Sequence, residues 1–238
     1  MEPVTQAREW LREAKAVAVL TGAGISAESG LPTFRGPGGL WRNHRPEQLA
    51  TPEAFHADPK LVWEWYDWRR SVHAKCEPNP GHHALAQLQL RVPVFTLITQ
   101  NVDALHERAG SRDVIRLHGS LWRVRCLACH REEQNDQVPL APLPPVCSCG
   151  GMLRPAVVWF GESLPQEEFA RAMQAAQAAE VFIVVGTSSV VYPAAALPRV
   201  AREYGARVIE VNPEPTDLSR LADASLRGLA GEILPQLV

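Results

Sequence analysis

The chain has 238 residues, of which 46% are hydrophobic, and its formal net charge is −2. This length and composition suffice for one large domain or for one domain that carries a smaller insertion. The charge excludes a global basic field of the kind that attracts nucleic acid or a membrane surface. Apolar runs of membrane-spanning length and signal-peptide features are both missing from the sequence, so we expect a soluble, cytoplasmic protein with no membrane partner and no specific nucleic-acid binding.

Short β-branched runs alternate with amphipathic stretches along the chain. The runs, which end in Gly, Asn, Ser or Thr, cover residues 17–22, 94–101, 157–161, 181–188 and 207–212. Uninterrupted apolar runs of this length predict parallel strands that are buried on both faces. Helical spacing occurs between them in residues 4–14, 81–90, 102–109, 166–179 and 193–204. The alternation predicts an α/β fold with a doubly wound parallel sheet and a ligand site at the carboxyl ends of its strands.

Two segments interrupt the alternation. Residues 36–77 combine a glycine-rich loop with an aromatic helix, and residues 121–154 hold a cysteine cluster and a proline-rich stretch. We therefore predict a small domain made of 36–77 and 121–154. The large domain would consist of residues 1–35, 78–120 and 155–238.

Four of the five cysteines fall within residues 126–149, in the pattern Cys126-x-x-Cys129 and Cys147-x-Cys149. Two such pairs can supply four thiolates to a tetrahedral Zn²⁺, and a complete thiolate set leaves no open position for catalysis. We expect one structural zinc ion. The second pair is one residue shorter than the usual C-x-x-C, and reduced cysteines without a metal are the alternative.

The first apolar run ends in Gly22-Ala23-Gly24, a turn that lets the backbone approach a phosphate closely. A G-x-G turn alone is weak evidence, because a tight strand-to-helix turn also needs glycine when it binds nothing. Neither a third glycine at the usual offset nor an acidic residue after the next strand follows. A nucleotide bound here would therefore not be held in the manner of a dehydrogenase.

Seven collinear motifs resemble those of the sirtuin family, the NAD⁺-dependent protein lysine deacylases. They are GAGISAESGLPTFRG, TQNVDALHERAG, LHGS, the cysteine cluster, VVWFGE, GTSSVVYP and VNPEP. The resemblance implies a Rossmann-like NAD-binding large domain, a zinc-bearing small domain and a cleft between them. NAD⁺ would be a consumed co-substrate and acylated-lysine proteins or peptides the partners, giving nicotinamide, acyl-ADP-ribose and free lysine.

The resemblance also implies residue roles. His118 would be the general base that takes a proton from a ribose hydroxyl, a task that suits an imidazole. A histidine before glycine also occurs as a simple strand cap. The implied NAD-binding residues are Gly22, Ala23, Gly24, Ser26, Phe34, Arg35, Gln100, Asn101, Asp103, Gly186, Thr187, Ser188, Asn212 and Ala230.

Two apolar motifs are expected to hold the acylated peptide as an added strand between the domains. Their implied substrate-binding residues are Val158, Phe160, Gly161, Glu162, Val191 and Tyr192. The same stretches also fit ordinary sheet core.

Tyr66 and Arg69 lie three residues apart in LVWEWYDWRR and so share one face of a predicted helix. A guanidinium beside a phenol can bind a carboxylate through charge-assisted hydrogen bonds. The pair resembles that of the sirtuin subgroup that prefers succinyl-, malonyl- or glutaryl-lysine. The alternative is a packing helix whose arginines are solvated, and Pro37, where that subgroup often has a small residue, leaves the acyl length open.

Two other functions remain possible from the sequence. The same pocket would serve an enzyme that transfers ADP-ribose to protein or hydrolyses NAD⁺. A catalytically inactive zinc and nucleotide binding module is the second alternative, but the presence of His118, Asn101 and Asp103 favours a working enzyme.

Overall fold

The computed structural model describes residues 2–33 and 46–238, and its strands form two sheets. In chain order the strands are β1 (Ala16–Thr21), β2 (Val94–Thr99), β3 (Ile115–Arg116), β4 (Gly119–Cys126), β5 (Glu132–Gln134), β6 (Leu153–Val157), β7 (Val181–Val185), β8 (Arg207–Val211) and β9 (Ala224–Leu226). The six-stranded sheet has the order β3-β2-β1-β7-β8-β9, and all its neighbouring pairs are parallel. The three-stranded sheet, β5-β4-β6, is antiparallel.

The helices connect these strands. They are α1 (Pro3–Glu13), α2 (Gly24–Ala27), α3 (Pro46–Leu49), α4 (Pro52–Ala57), α5 (Pro59–His73), α6 (Pro80–Arg91), α7 (Leu105–Arg108), α8 (Gln166–Ala178), α9 (Leu197–Glu203) and α10 (Ala230–Ile233). Within the described ranges, none of them is long and apolar enough to span a bilayer.

Helices cover both faces of the parallel sheet. Val17 and Val19 of β1 pack into one core with α1, α6 and α10, whereas Ala18 and Leu20 pack into a second core with α8 and α9. Successive side chains of a strand point to opposite faces, so a strand between two helical layers is apolar throughout. This arrangement confirms the predicted doubly wound α/β fold.

Three helices of the chain begin with the same local chemistry. Thr51, Asp58 and Asn79 each precede a proline, and their side-chain oxygens accept backbone N–H groups from the first turns of α4, α5 and α6. A cap of this kind satisfies a donor that has no partner within the helix, while proline supplies the helical φ angle without needing a partner itself.

The prediction of a parallel strand at 157–161 is wrong. Val157 ends β6, which pairs antiparallel with β4 in the small sheet, and residues 158–161 leave it as a loop. An apolar run is compatible with burial in either sheet, and periodicity alone does not separate the two. The expected helices at 102–109 and 193–204 are shorter: α7 is a single turn, and a 3-10 turn at Ala194–Ala196 precedes α9.

A third core joins the aromatic helix to the small sheet. Trp63 of α5 is fully buried against Leu121 and Val124, and its indole Nε1 donates to the carbonyl of Leu153 at 2.9 Å. Arg70 of the same helix donates to the carbonyl of Leu121 at 2.9 Å. These contacts join parts of the two sequence insertions, whose exact domain boundaries stay a prediction because residues 36–45 lie outside the described chain.

The carboxyl ends of β1 and β7 approach each other more closely than side chains allow. The backbone N–H of Gly24 donates to the carbonyl of Gly186 at 2.8 Å. A Cβ atom on Gly24 would lie 2.6 Å from the Gly186 Cα, and Gly186 itself has a φ of +59°. Both turns therefore require glycine, for space at Gly24 and for both space and conformation at Gly186.

We expect Gly186→Ala to destabilise the protein much more than Gly205→Ala. Both glycines have positive φ, but a Cβ at Gly205 meets nothing within 4 Å, whereas one at Gly186 would lie 2.6 Å from the carbonyl carbon of Gly24. The control variant, Gly205→Ala, should lose only the cost of placing a side chain in the left-handed backbone region, about 1–2 kcal/mol of unfolding free energy. Urea unfolding of the two variants measures the difference, and equal losses would contradict the proposed crowding.

Candidate functional site

A cleft with a cavity volume of about 620 Å³ lies at the carboxyl ends of β1, β2, β7 and β8 and extends to α5. It brings together most of the residues that the sequence predicts. Its lining includes Gly22, Ala23, Gly24, Tyr66, Arg69, Gln100, Asn101, His118, Val158, Phe160, Gly161, Glu162, Gly186, Thr187, Ser188, Val191, Tyr192, Asn212 and Ala230. Ser26 and Asp103 are not part of this lining. They are hydrogen-bonded to each other, and Ser26 accepts a hydrogen bond from Asn101, which lines the cleft. Phe34, Arg35 and Pro37 are outside the described residues.

Side-chain amides connect the strand ends at the part of the cleft formed by β2, β7 and β8. Gln100 Nε2 donates to Thr187 Oγ1 at 3.1 Å, which joins the ends of β2 and β7. Asn212 Nδ2 donates to the carbonyl of Thr187 at 3.0 Å, which adds the end of β8. These bonds hold a row of polar groups at one edge of the sheet, where ligands of open α/β sheets bind.

A buried carboxylate organises the loop after β8. Glu210 is 1% exposed and accepts from the Thr216 hydroxyl and, at 2.7 Å, from Ser219 Oγ. Its Oε2 atom also lies 2.8 Å from an Arg227 Nη2 atom. Thr216 lines the cleft, so Glu210 shapes the cleft wall without reaching it. Glu210 is not among the residues predicted from the sequence, although an acid inside the apolar run RVIEVN is a signal for it.

A buried polar cluster closes the inner end of the cleft. Asn101 Nδ2 donates to the Gly22 carbonyl at 3.0 Å and to Ser26 Oγ at 3.2 Å, and Ser26 Oγ donates to Asp103 Oδ2 at 3.0 Å. The Leu105 N–H donates to Asp103 Oδ1 at 3.0 Å. Burial raises the pKa of Asp103, and these two donors oppose that rise. Satisfied buried networks of this kind hold their members in one geometry.

Two histidines behind this cluster were also missed. His106 Nε2 lies 2.9 Å from Thr21 Oγ1, and His82 Nε2 lies 3.4 Å from Ser26 Oγ. Burial lowers the pKa of both imidazoles, to about 4 for His82 and well below the ordinary value for His106. Both are therefore neutral at physiological pH. His106 lies within the motif TQNVDALHERAG, which was the signal available for it.

His118 is held in one orientation and one tautomer. Its Nδ1 atom lies 2.9 Å from the Gln100 carbonyl oxygen, which can only accept, so Nδ1 carries the proton. The other ring nitrogen, Nε2, is then the basic one. Burial lowers the pKa of His118, and the bond to Gln100 partly opposes this shift. The neutral imidazole lining the cleft has the properties of a general base.

Tyr66 and Arg69 lie together at the far end of the cleft. They are only 2% and 5% exposed, so the alternative of a solvated Arg69 does not hold. The guanidinium carbon lies 4.8 Å from the Trp65 ring centre and 5.7 Å from that of Tyr66. Burial raises the pKa of the Tyr66 phenol, which is therefore protonated at neutral pH. The pair presents a cation and a hydroxyl at an otherwise largely apolar end.

The loop after β6 is fixed by internal bonds. Arg154 binds both carboxylate oxygens of Glu162, at 2.6 and 2.9 Å. The backbone N–H of Val158 donates to the His118 carbonyl at 3.0 Å and that of Phe160 to the Ala50 carbonyl at 2.9 Å. Glu162 therefore directs its carboxylate to Arg154, and its predicted role in substrate binding would be indirect.

Apolar side chains surround the cleft mouth. Phe160 is 50% and Tyr192 66% exposed, and both line the cavity. They come from the loop after β6 and from the turn after β7, on either side of the opening. Both residues belong to the segments that the sequence predicts to hold the acylated peptide.

The four clustered cysteines fit a tetrahedral metal ion. Their sulfur atoms lie within 4.8 Å of one another, with the Cys126–Cys149 pair 3.5 Å and the Cys129–Cys147 pair 3.9 Å apart. Four sulfurs at 2.3 Å from one zinc ion are about 3.8 Å apart. The N–H groups of Cys129 and Ala128 donate to Cys126 Sγ and lower the pKa of that thiol to about 6. The shorter Cys147-x-Cys149 pair joins the cluster as well.

Comparisons with known proteins agree on one family. The model of the Sir2 family matches residues 22–193. A protein of Aquifex aeolicus named NAD-dependent protein deacylase is 61% identical over 208 residues, which are 87% of this chain and 87% of that protein. A solved complex of a Sir2 homologue with NAD is 51% identical with a TM-score of 0.92, covering 98% of this chain and 91% of that one. A Sir2 protein bound to a myristoylated histone peptide is 37% identical with a TM-score of 0.79, covering 99% of this chain and 94% of that one.

We expect the purified protein to contain about one zinc ion per chain and Cys149→Ser to lose it, because a tetrahedral thiolate site needs all four ligands. Metal content by mass spectrometry and the unfolding temperature measure the effect, which should be a clear drop in both. Cys76→Ser is the control, since Cys76 lies outside the cluster. Full zinc content in the Cys149 variant would refute the assignment.

Proposed function

This chain belongs to the Sir2 family and is an NAD-dependent protein deacylase, and we propose that it prefers succinyl- or malonyl-lysine among its acylated substrates. The observation that carries the preference is the buried Tyr66–Arg69 pair at the end of the cleft. The rest of the cleft supports the deacylation chemistry.

The nucleotide half of the cleft has the donor set that NAD⁺ needs. Amides of Gln100, Asn101 and Asn212 and hydroxyls of Thr187 and Ser188 line it beside three glycines. When bound, NAD⁺ supplies the ribose carbon to which the acyl oxygen is transferred and the nicotinamide that leaves. The protein's part is to hold this geometry through its bonded strand ends and to exclude water.

His118 would accept the proton that the reaction releases. Its tautomer leaves Nε2 unprotonated, and the Gln100 carbonyl stabilises the imidazolium that forms when Nε2 takes a proton. The same bond keeps the ring from turning, so the base stays at one place in the cleft. The buried Asn101–Ser26–Asp103 cluster would position the nicotinamide end.

The acyl preference follows from the charge at the far end of the cleft. Burial lowers the pKa of Arg69, an effect that Tyr66 and Asp103 oppose, yet a guanidinium stays protonated in proteins. A positive charge in this surrounding favours an anionic group, and a carboxylate can accept from Arg69 and from the Tyr66 hydroxyl together. Succinyl and malonyl groups end in such a carboxylate, whereas an acetyl group ends in a methyl.

We predict that the deacylation rate falls as the pH is lowered, with a midpoint below pH 6.5. As pH falls through the pKa of His118, the imidazole becomes protonated and the base is lost, and burial lowers that pKa from its ordinary value of 6.5. The kcat/KM of deacylation, measured from acidic to neutral pH, gives the midpoint for the free protein, to which this pKa belongs. A midpoint above 6.5 would contradict His118 as a base with a lowered pKa.

Arg69→Met should reduce kcat/KM for a succinyl-lysine peptide about tenfold or more relative to an acetyl-lysine peptide, because one charge-assisted hydrogen bond is lost. Mass spectrometry of one peptide with acetyl-, malonyl-, succinyl- or myristoyl-lysine, with and without NAD⁺, measures both the peptide and acyl-ADP-ribose. Detection of acyl-ADP-ribose separates deacylation from ADP-ribosyl transfer and from NAD⁺ hydrolysis.

Arg199→Met serves as the matched control, since Arg199 is an exposed residue of α9 outside the cleft lining. It should leave the succinyl-to-acetyl ratio unchanged. Equal losses on both peptides in the Arg69 variant, or a wild-type preference for acetyl or myristoyl groups, would overturn the proposed acyl preference while leaving deacylation intact.

A further inference from the structure

We propose that Trp159 is a positioning residue for acyl selectivity: its indole N–H binds Tyr66 Oη and so directs the Tyr66 hydroxyl proton toward the carboxylate of an acidic acyl group. The inference rests on the proposed acyl preference and extends it to a residue for which the sequence predicts no role. Its starting point is one hydrogen bond, 2.9 Å long, between residues 93 positions apart.

The direction of this hydrogen bond is fixed by chemistry. An indole nitrogen is a donor only, so Trp159 Nε1 donates and Tyr66 Oη must accept. A phenolic O–H prefers the plane of its ring, which offers the proton two orientations. Because the indole N–H points at one side of the oxygen, the Tyr66 proton takes the other side. Without the indole donor, both orientations would be open.

The indole that makes this bond is itself held tightly. The Arg154 guanidinium carbon lies 3.5 Å from the Trp159 ring centre, and the Trp159 backbone N–H donates to Glu162 Oε2 at 2.8 Å. Phe55 contacts the same ring, with 5.2 Å between the centroids. The Arg154–Glu162 ion pair thus fixes both the backbone and the ring of Trp159, so the donor has one position.

The Tyr66 ring, whose oxygen accepts this hydrogen bond, is also held in place. The Tyr66 ring packs edge-on against Trp65, with centroids 4.8 Å apart and an interplanar angle of 85°. Arg69 lies over both of these rings, so its charge and the Tyr66 hydroxyl belong to one wall of the cavity. A carboxylate at this wall would meet a cation and an oriented O–H donor. An acetyl group brings no oxygen to this wall, so its binding does not use that donor.

The test is the succinyl-to-acetyl ratio of kcat/KM in Trp159→Phe, which removes the indole N–H and keeps an aromatic ring. We expect the ratio to fall about tenfold, mostly through KM, because a hydrogen bond to a charged group loses its orientation. Trp63→Phe is the matched control: it also removes a 2.9 Å indole bond of a buried tryptophan, but Trp63 lies outside the cleft lining. Its ratio should equal that of the wild type.

A double variant distinguishes orientation of Tyr66 from a general packing effect. If Trp159 acts through the Tyr66 hydroxyl, adding Trp159→Phe to Tyr66→Phe should not lower the ratio further. Additive losses would show that Trp159 acts by another route and would overturn the inference. The indole N–H signals in a ¹⁵N-labelled protein give a readout without turnover, since Tyr66→Phe should shift the Trp159 signal and leave that of Trp63 in place.

The outcomes also separate this inference from the proposed acyl preference. A selective loss in Arg69→Met together with an unchanged ratio in Trp159→Phe would refute the role of Trp159 alone. No selectivity for acidic acyl groups in the wild type would refute both. Unfolding temperatures identify any variant that fails to fold. If Trp159→Phe is such a variant, the Trp159 signal in Tyr66→Phe still tests the hydrogen bond, and an unshifted signal would overturn the inference.

Discussion

The contact between the glycine turns that follow β1 and β7 is the constraint on which the cleft depends. Because Gly24 and Gly186 carry no side chains, the two backbones form a direct hydrogen bond and the strand ends stay together. The polar residues that follow each strand then converge on one edge of the sheet. A side chain at either glycine would push the turns apart, and with them Thr187, which accepts from both Gln100 and Asn212.

The two halves of the cleft are kept rigid by different means. At the inner end, neutral and acidic polar groups satisfy one another, as in the Asn101–Ser26–Asp103 cluster, whose members are all buried. At the acyl end, the framework is aromatic, with the Arg154–Glu162 ion pair holding Trp159 in place. His118 lies between these halves, and its own backbone carbonyl binds Val158 of the acyl-side loop. His118, the proposed general base, is therefore held by contacts with both halves.

The sequence predicts those features that depend on local pattern. Most strands of the parallel sheet are visible because burial on both faces makes them apolar throughout, whereas β3 and β9 have two and three residues and give no periodic signal. The run at 157–161 is equally apolar, but only Val157 lies in a strand, at the end of β6 in the small sheet, and pattern alone does not reveal this. Motif residues such as His118 and the four clustered cysteines can be predicted, because the residues next to them in the sequence identify the motif. Contacts such as that between Trp159 and Tyr66 join distant positions and leave no local trace.

A buried guanidinium explains why selectivity at the acyl end would be strong rather than graded. Arg69 is buried and its guanidinium lies over the rings of Trp65 and Tyr66. A ligand carboxylate could accept charge-assisted hydrogen bonds from Arg69 and from the Tyr66 hydroxyl, whereas a neutral acyl group brings no charged acceptor to them. Sites built to bind a polar group discriminate against analogues that lack it much more than apolar pockets discriminate between alkyl lengths. The acyl preference would therefore be decided by the terminal charge, with chain length as the smaller effect.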